Sequence, residues 1–186
     1  MNRDLLEMLE ERGALLRGHF QLSGGRHGDT YIEKYRILQW PDLTSEFCAR
    51  IADHFRGQAN IVAGPTTGGI ILAYETARHL ALPMVIAEKK DGGATGREFK
   101  RGFQVGPGDR VLVVDDVLTT GGSIREVLEA IRQRGAEPAG VGVLVDRTNG
   151  NVDFGVPFFA CISVDVKSYD PADCALCRAD IPLTIT

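Results

Sequence analysis

The sequence predicts an α/β fold: a mostly parallel sheet flanked by helices, with a small hood built from the two ends of the chain. Three observations predict it. Short, near-continuous apolar runs recur at 59–64, 83–87, 110–114, 140–145 and 158–166, the pattern of strands covered on both faces. Segments with apolar residues at helical spacing lie between them from about residue 41 to 147, and that alternation implies parallel strands with helices on both sides. The two ends do not follow the alternation, so they are expected to fold together as a cap beside the sheet.

The elements follow in order. Leu5, Leu6 and Leu9 give a short amphipathic opening helix. From Pro41, the residues Leu43, Phe47, Ile51 and Phe55 recur every four positions with Cys48 and Ala52 beside them, which makes one apolar helix face. The strand at 59–64 is broken by Pro65-Thr66-Thr67-Gly68-Gly69, and a second helix follows with Ile70, Ala73, Ala77 and Leu80 on one side. After the strand at 83–87, the segment 89–102 has no apolar period and reads as a mobile loop. Beyond the strand at 110–114, Ile124, Val127, Leu128 and Ile131 fit a helix that Gly135 stops. Strands at 140–145 and 158–166 complete the core.

The 186 residues suit one domain, with a core over about 41–166 and hood segments at about 1–40 and 167–186. The net charge of −4 gives no general attraction for nucleic acid, so any anion-binding site has to be local. No apolar run is long enough to span a bilayer. The start Met1-Asn2-Arg3-Asp4 is charged and no apolar signal core follows it, and Cys48, Cys161, Cys174 and Cys177 are too few and too uneven for a secreted disulfide framework. A cytoplasmic protein, with no nucleic-acid or membrane partner, is expected.

The chemistry concentrates in Val111-Leu112-Val113-Val114-Asp115-Asp116-Val117-Leu118-Thr119-Thr120-Gly121-Gly122-Ser123. Ligands of open parallel sheets bind at the carboxyl ends of strands, where this run lies. Adjacent carboxylates repel and tolerate burial only with partners. Ribose hydroxyls are suitable partners, because a carboxylate accepts their protons. The hydroxyls and backbone N–H groups of Thr119, Thr120, Gly121, Gly122 and Ser123, closed by a helix N-terminus, form an anion nest. Acids for a diol followed at once by a phosphate nest suit a sugar 5-phosphate. An Asp-capped helix behind a plain glycine turn would explain a lone Asp-Asp or Thr-Gly-Gly, but not the whole run between a buried strand and an amphipathic helix.

This run resembles the signature of the type I phosphoribosyltransferases, which bind phosphoribosyl pyrophosphate (PRPP). The resemblance implies their fold. It also implies that Asp115 and Asp116 lie by the ribose hydroxyls and that the loop after them, Val117 and Leu118 through Ser123, holds the 5-phosphate. Gly64-Pro65-Thr66-Thr67-Gly68-Gly69 alone is an ordinary turn; beside the first loop it matches the family's pyrophosphate loop, which assigns Thr67 and Gly68 to the donor. In the basic segment, Lys89, Lys90, Arg97, Lys100 and Arg101 stand against Asp91 and Glu98, a local charge of +3. It suits either a solvated loop or a lid, and in the family such a loop closes over the donor, often across a dimer interface. Lys89, Lys90, Lys100 and Arg101 are the candidates to neutralise pyrophosphate, with Lys89 and Lys100 counted as catalytic beside the two acids.

The rest of the chain resembles the orotate phosphoribosyltransferases. Matching segments include Gly13-Ala14-Leu15-Leu16-Arg17-Gly18-His19-Phe20, Tyr31-Ile32-Glu33-Lys34, Lys100-Arg101-Gly102-Phe103, Val145-Asp146-Arg147 and Cys174-Ala175-Leu176-Cys177. The resemblance implies PRPP and orotate as substrates, contacts to orotate from Thr119 and Arg147, a homodimer, and Mg²⁺ carried by PRPP with no direct protein ligand. A salt bridge to Asp146 is the alternative for Arg147. Three departures stand out: Ser23 replaces a basic residue, only Tyr31 of an aromatic pair is present, and the basic loop lacks a histidine. A purine-base transferase and a PRPP-binding regulator are the rival functions. Cys174 and Cys177 supply half of a tetrahedral zinc site, and Cys161 and Cys48 lack the spacing of a second pair, so the two read as structural thiols, with a metal shared between two chains as the other option. His54 and His79 fall on helices, and His19 and His27 near the cap.

Overall fold

A computed structural model describes residues 5–185; the charged start Met1-Asn2-Arg3-Asp4 lies outside the described residues. The helices are α1 (Leu5–Glu11), α2 (Lys34–Leu38), α3 (Pro41–Phe55), α4 (Gly68–Leu80), α5 (Gly122–Gln133) and α6 (Ala175–Arg178). The strands are β1 (Leu15–Gln21), β2 (His27–Ile32), β3 (Ile61–Pro65), β4 (Met84–Lys89), β5 (Arg97–Phe99), β6 (Arg110–Leu118), β7 (Glu137–Asp146), β8 (Phe158–Ser163), β9 (Ser168–Tyr169) and β10 (Thr184–Ile185).

The core sheet runs β5-β4-β3-β6-β7-β8, parallel except for β5. Its central strands alternate between two apolar layers. Val62, Leu112, Val114 and Leu144 join the layer under α3 and α4, whereas Ile61, Ala63, Val111, Val113, Val141 and Val143 join the layer under α5. That period of two is what a strand buried on both faces requires. On α3, Leu43, Phe47, Ile51 and Phe55 are fully buried. The helix lies so close to β7 that a Cβ at Gly142 would sit 2.5 Å from Ile51 Cγ2, and one at Gly140 would overlap the Phe55 ring.

The chain leaves β3 toward β4 on one side and continues from β6 toward β7 on the other. The neighbouring strands β3 and β6 therefore flank the topological switch point, where the loops after their carboxyl ends diverge and open a crevice. A second sheet, β10-β1-β2-β9, is made wholly of the two ends of the chain and forms the hood.

The structure departs from the sequence reading in three places. Strand β6 continues to Leu118 and carries both acids inside its ladder with β7, where Asp115 pairs with Val143. The segment 89–102 is an arm rather than a featureless loop: β5 returns antiparallel on β4, because Arg97 and Phe99 point inward at 5% and 3% exposure while Glu98 points out. That alternation is only three residues long and is hidden among glycines and charges. Helix α2, five residues long, was not read at all.

Gly142→Ala is expected to cost about 1–3 kcal/mol of stability in urea denaturation, by overpacking against Ile51. In an Ile51→Ala background most of that cost should disappear; an equal cost in both backgrounds would place the strain elsewhere.

Candidate functional site

The end of β6 places two carboxylates side by side. Asp116 is 6% exposed, and its Oδ1 accepts a hydrogen bond from the Val117 amide at 2.7 Å. Asp115 Oδ1 accepts from the Asp116 amide at 2.9 Å. Burial, and then the neighbouring Asp116 carboxylate, push the Asp115 carboxyl up to about 7. Asp116 has a cation instead: Lys34 Nζ, at the start of α2, lies 3.1 Å from its Oδ2. Burial depresses the Lys34 ammonium, but the Asp116 carboxylate beside it more than offsets this, and its pKa stands above the ordinary value.

Beyond the acids, Leu118 through Ser123 curl around a cup of about 150 Å³ at the N-terminus of α5. Gly121 sits at φ 77, a left-handed conformation that glycine adopts at no steric cost, and a Cβ there would press on Phe154. The turn after β3 comes equally close to the acids. A Cβ at Gly68 would overlap the Asp116 carboxylate, so Thr67 and Gly68 stand directly across from β6. The hood roofs this crevice: Leu22, Tyr31 and Lys34 line a cleft of about 620 Å³ together with Asp116, Thr119 and Arg147.

Arg147 follows β7, and its Nε is buried without a hydrogen-bond partner. It does not pair with Asp146, whose carboxylate instead accepts from the Thr148 amide, the Thr148 hydroxyl and the Gly150 amide at 2.7–3.2 Å. Burial lowers the Arg147 pKa, as expected of a guanidinium that has lost water and gained no anion.

The phosphoribosyl transferase domain profile matches residues 36–168. The chain belongs to this family. It is 44% identical to an orotate phosphoribosyltransferase of Caldanaerobacter subterraneus over 96% of this chain and 93% of that one. It is 47% identical to one from Pelotomaculum thermopropionicum, over 98% and 95%. The crystal structure of orotate phosphoribosyltransferase from Aeropyrum pernix superposes with a TM-score of 0.74 at 31% identity, covering 87% of this chain and 94% of that one. Within the phosphoribosyltransferases, then, the chain falls among the orotate enzymes.

The acids, both glycine turns, Thr119 and Arg147 converge on one crevice. The basic arm does not join them in this conformation. Lys100 Nζ lies 2.6 Å from Asp91 Oδ1 and 3.6 Å from Glu98 Oε1, and Arg101 Nε lies 2.7 Å from Glu88 Oε1. Lys90 lines a separate pocket beside α5, and Lys89 is exposed.

The arm contributes a residue that sequence reasoning passed over. Arg97 donates from Nη1 to Thr66 Oγ1 at 3.0 Å and to the Ala87 carbonyl at 2.9 Å, and from Nη2 to Ser123 Oγ at 3.1 Å. Its Nε lies 3.4 Å from Glu126 Oε2, near enough for charge attraction but without hydrogen-bond geometry. A buried guanidinium thus ties the pyrophosphate-loop candidate to the phosphate-loop candidate. Lys34 is likewise not legible as a site residue, because nothing local in the sequence pairs it with Asp116.

Asp115 also sets a pH dependence. Folded, it holds its proton up to about pH 7; unfolded, it releases the proton near pH 4. The folded state binds more protons between those values, so stability falls as pH rises through the window and levels off above it. Asp115→Asn, neutral in both states, should flatten that slope in urea denaturation between about pH 4 and 8. An undiminished slope in the variant would show that another group titrates.

Proposed function

We propose that the chain transfers ribose 5-phosphate from PRPP to N1 of orotate, giving orotidine 5′-monophosphate and pyrophosphate. The observation that carries this reading is Arg147: a buried, unpartnered guanidinium nitrogen beside Thr119, in the cleft that opens on Asp116. Such a group calls for an anion, and the orotate carboxylate is one. A purine offers no carboxylate and would leave Arg147 unpaired. The rival regulator would need a basic face or an added nucleic-acid module.

In this reading Asp115 and Asp116 accept hydrogen bonds from the ribose hydroxyls, and Lys34 gives up part of its hold on Asp116 as they bind. Val117 and Leu118 lead into Thr119–Ser123, whose amides and hydroxyls take the 5-phosphate at the start of α5. Thr67 and Gly68 offer backbone to pyrophosphate, and Arg97 keeps that turn and Ser123 in fixed register. The N1–C1′ bond forms with the electron pair of orotate N1, whose proton is released, while the C1′–O bond breaks and pyrophosphate leaves with the electrons of that C1′–O bond. The protein's share is alignment and stabilisation of the departing charge. Lys89, Lys90, Lys100 and Arg101 serve the leaving group once the arm closes. The present surface ion pairs of Lys100 and Arg101 are weak enough to exchange.

Mg²⁺ would be held chiefly through PRPP oxygens, since it keeps waters and binds mainly through phosphates, and it would supply charge neutralisation at pyrophosphate. None of the four cysteines is in a disulfide, and a cytoplasmic setting is part of the proposal. No helix among the described residues is long and apolar enough to cross a membrane.

Orotate absorbance should fall only when PRPP and Mg²⁺ are both present; turnover with a purine but not with orotate would overturn the acceptor assignment. Arg147→Met should raise the orotate KM roughly 10- to 100-fold with little change in the KM for PRPP. Asp116→Asn should lower kcat at least about tenfold in a folded protein.

A homodimer is the expected assembly. Ile71 and Tyr74 of α4 are 45% and 64% exposed beside a largely apolar groove of about 730 Å³ that shares no residue with the cleft. Tyr74→Asp should convert a dimer to a monomer in sedimentation velocity; a monomeric parent protein would overturn this assignment.

A further inference from the structure

The hood contains a second constellation, none of whose residues lines the cleft. His19 on β1, His27 on β2, and Cys174 and Cys177 around the start of α6 bring four ligand atoms within 4.8 Å of one another. His19 Nε2 lies 3.6 Å from Cys174 Sγ and 3.7 Å from Cys177 Sγ, and His27 Nδ1 lies 3.3 Å from Cys177 Sγ. The two ring nitrogens are 2.9 Å apart. Around a tetrahedral zinc ion, with bonds of roughly 2.0–2.1 Å to nitrogen and 2.3 Å to sulfur, neighbouring ligand atoms stand about 3.3–3.8 Å apart. The nitrogen–sulfur edges already have about that length.

Protonation points the same way. His19 Nδ1 lies 2.7 Å from the Ile181 carbonyl oxygen. A carbonyl only accepts, so Nδ1 donates, and neutral His19 then presents the lone pair of Nε2 to the other three groups. A histidine whose remote nitrogen is fixed by a carbonyl is oriented as a metal ligand. His19 is 2% exposed, His27 7% and Cys174 0%, so three of the four groups have little access to water, while Cys177 closes the cluster from the surface.

The hood also needs a fastening. Among the described residues from 167 to 185, only Cys174 is buried. The tail is joined to the rest by the two-residue strands β9 and β10 and a few side-chain bonds, such as Arg26 to Ser168. No apolar surface there is large enough to hold it, and small structures without a core rely on cross-links.

We infer that His19, His27, Cys174 and Cys177 form a closed, structural Zn²⁺ site that staples the C-terminal segment to the β1–β2 hairpin. Two imidazoles and two thiolates suit zinc, and four protein ligands leave no open position for catalysis. The site lies within one chain. β1 leads directly into Leu22, and Tyr31 lies on β2 itself; both line the cleft, so the ion fixes the roof of that cleft without lining it.

The test begins with the full chain, purified without an affinity tag and analysed for metal. About one zinc per chain is expected, released by a thiol-reactive mercurial. Reduced apoprotein given Co²⁺ should develop the intense visible absorption of tetrahedral cobalt with thiolate ligands. His27→Gln and the double variant Cys174→Ser, Cys177→Ser should lose both signals. Removing the ion should lower the melting temperature by on the order of 10 °C, and Zn²⁺ should restore it. Three results would overturn the proposal: a reduced protein that neither carries zinc nor takes up Zn²⁺ or Co²⁺, full zinc content in the double variant, or an apoprotein that melts where the zinc form does. The metal analysis of the parent protein stands even if a variant fails to fold.

Discussion

Two carboxylates forced together at the end of a buried strand organise this molecule. Asp115 and Asp116 cannot both stay charged in a half-dry crevice without help, and the chain meets that demand in two ways. Asp115 holds its proton up to about neutrality. Asp116 is compensated by Lys34, a residue of the end that folds over the core. The hood therefore does more than cover the sheet. Its placement is coupled to the charge state of β6, and a ligand that supplies hydroxyl donors to the acids would change the contact between the two.

The same economy appears on the anion side. The protein is acidic overall, so it builds positive potential from backbone and from a few enclosed cations. Glycine at 68 and 121 lets main chain crowd against Asp116 and around the phosphate cup. Arg97 fixes both turns at once by bonding to Thr66 and Ser123. A guanidinium is suited to this because its fork can serve several acceptors while staying charged. Lys100 and Arg101 of the arm are paired instead with Asp91, Glu98 and Glu88, outside the crevice.

How much of this was legible in the sequence depends on the range of the interactions involved. Strand and helix order could be read because burial on both faces of a sheet leaves continuous apolar runs, and α3 and α5 leave a period of three to four. The donor loop could be read because its acids, hydroxyls and glycines are contiguous. Arg97 and Lys34 could not be ranked above other cations. Their partners, Ser123 and Asp116, lie far along the chain, and the strand carrying Arg97 is only three residues long. The hood cluster was obscured for the same reason. Cys174 and Cys177 were weighed against Cys48 and Cys161, whereas the groups that face them are histidines of a hairpin about 150 residues earlier. The signal that could have found them is the combination of a Cys-x-x-Cys with two histidines in one short hairpin.

The hood and the crevice together separate two tasks that a single surface could not perform well. Groups proposed to bind PRPP and orotate must be able to exchange partners, and the unsatisfied nitrogen of Arg147 and the 40% exposure of the Lys34 side chain suit that need. Groups that hold the roof in place must not exchange at all. Apolar packing could meet that second need only with a core, and the tail from 167 onward has none. A cross-link of four ligands, three of them buried and none lining the cleft, would fix the position of β1 and β2 while leaving the polar residues that follow them free to respond to substrate. A fixed hood is thus the condition under which an exchange of partners at Lys34 becomes useful, because a ligand can redirect charge only within a frame that does not yield.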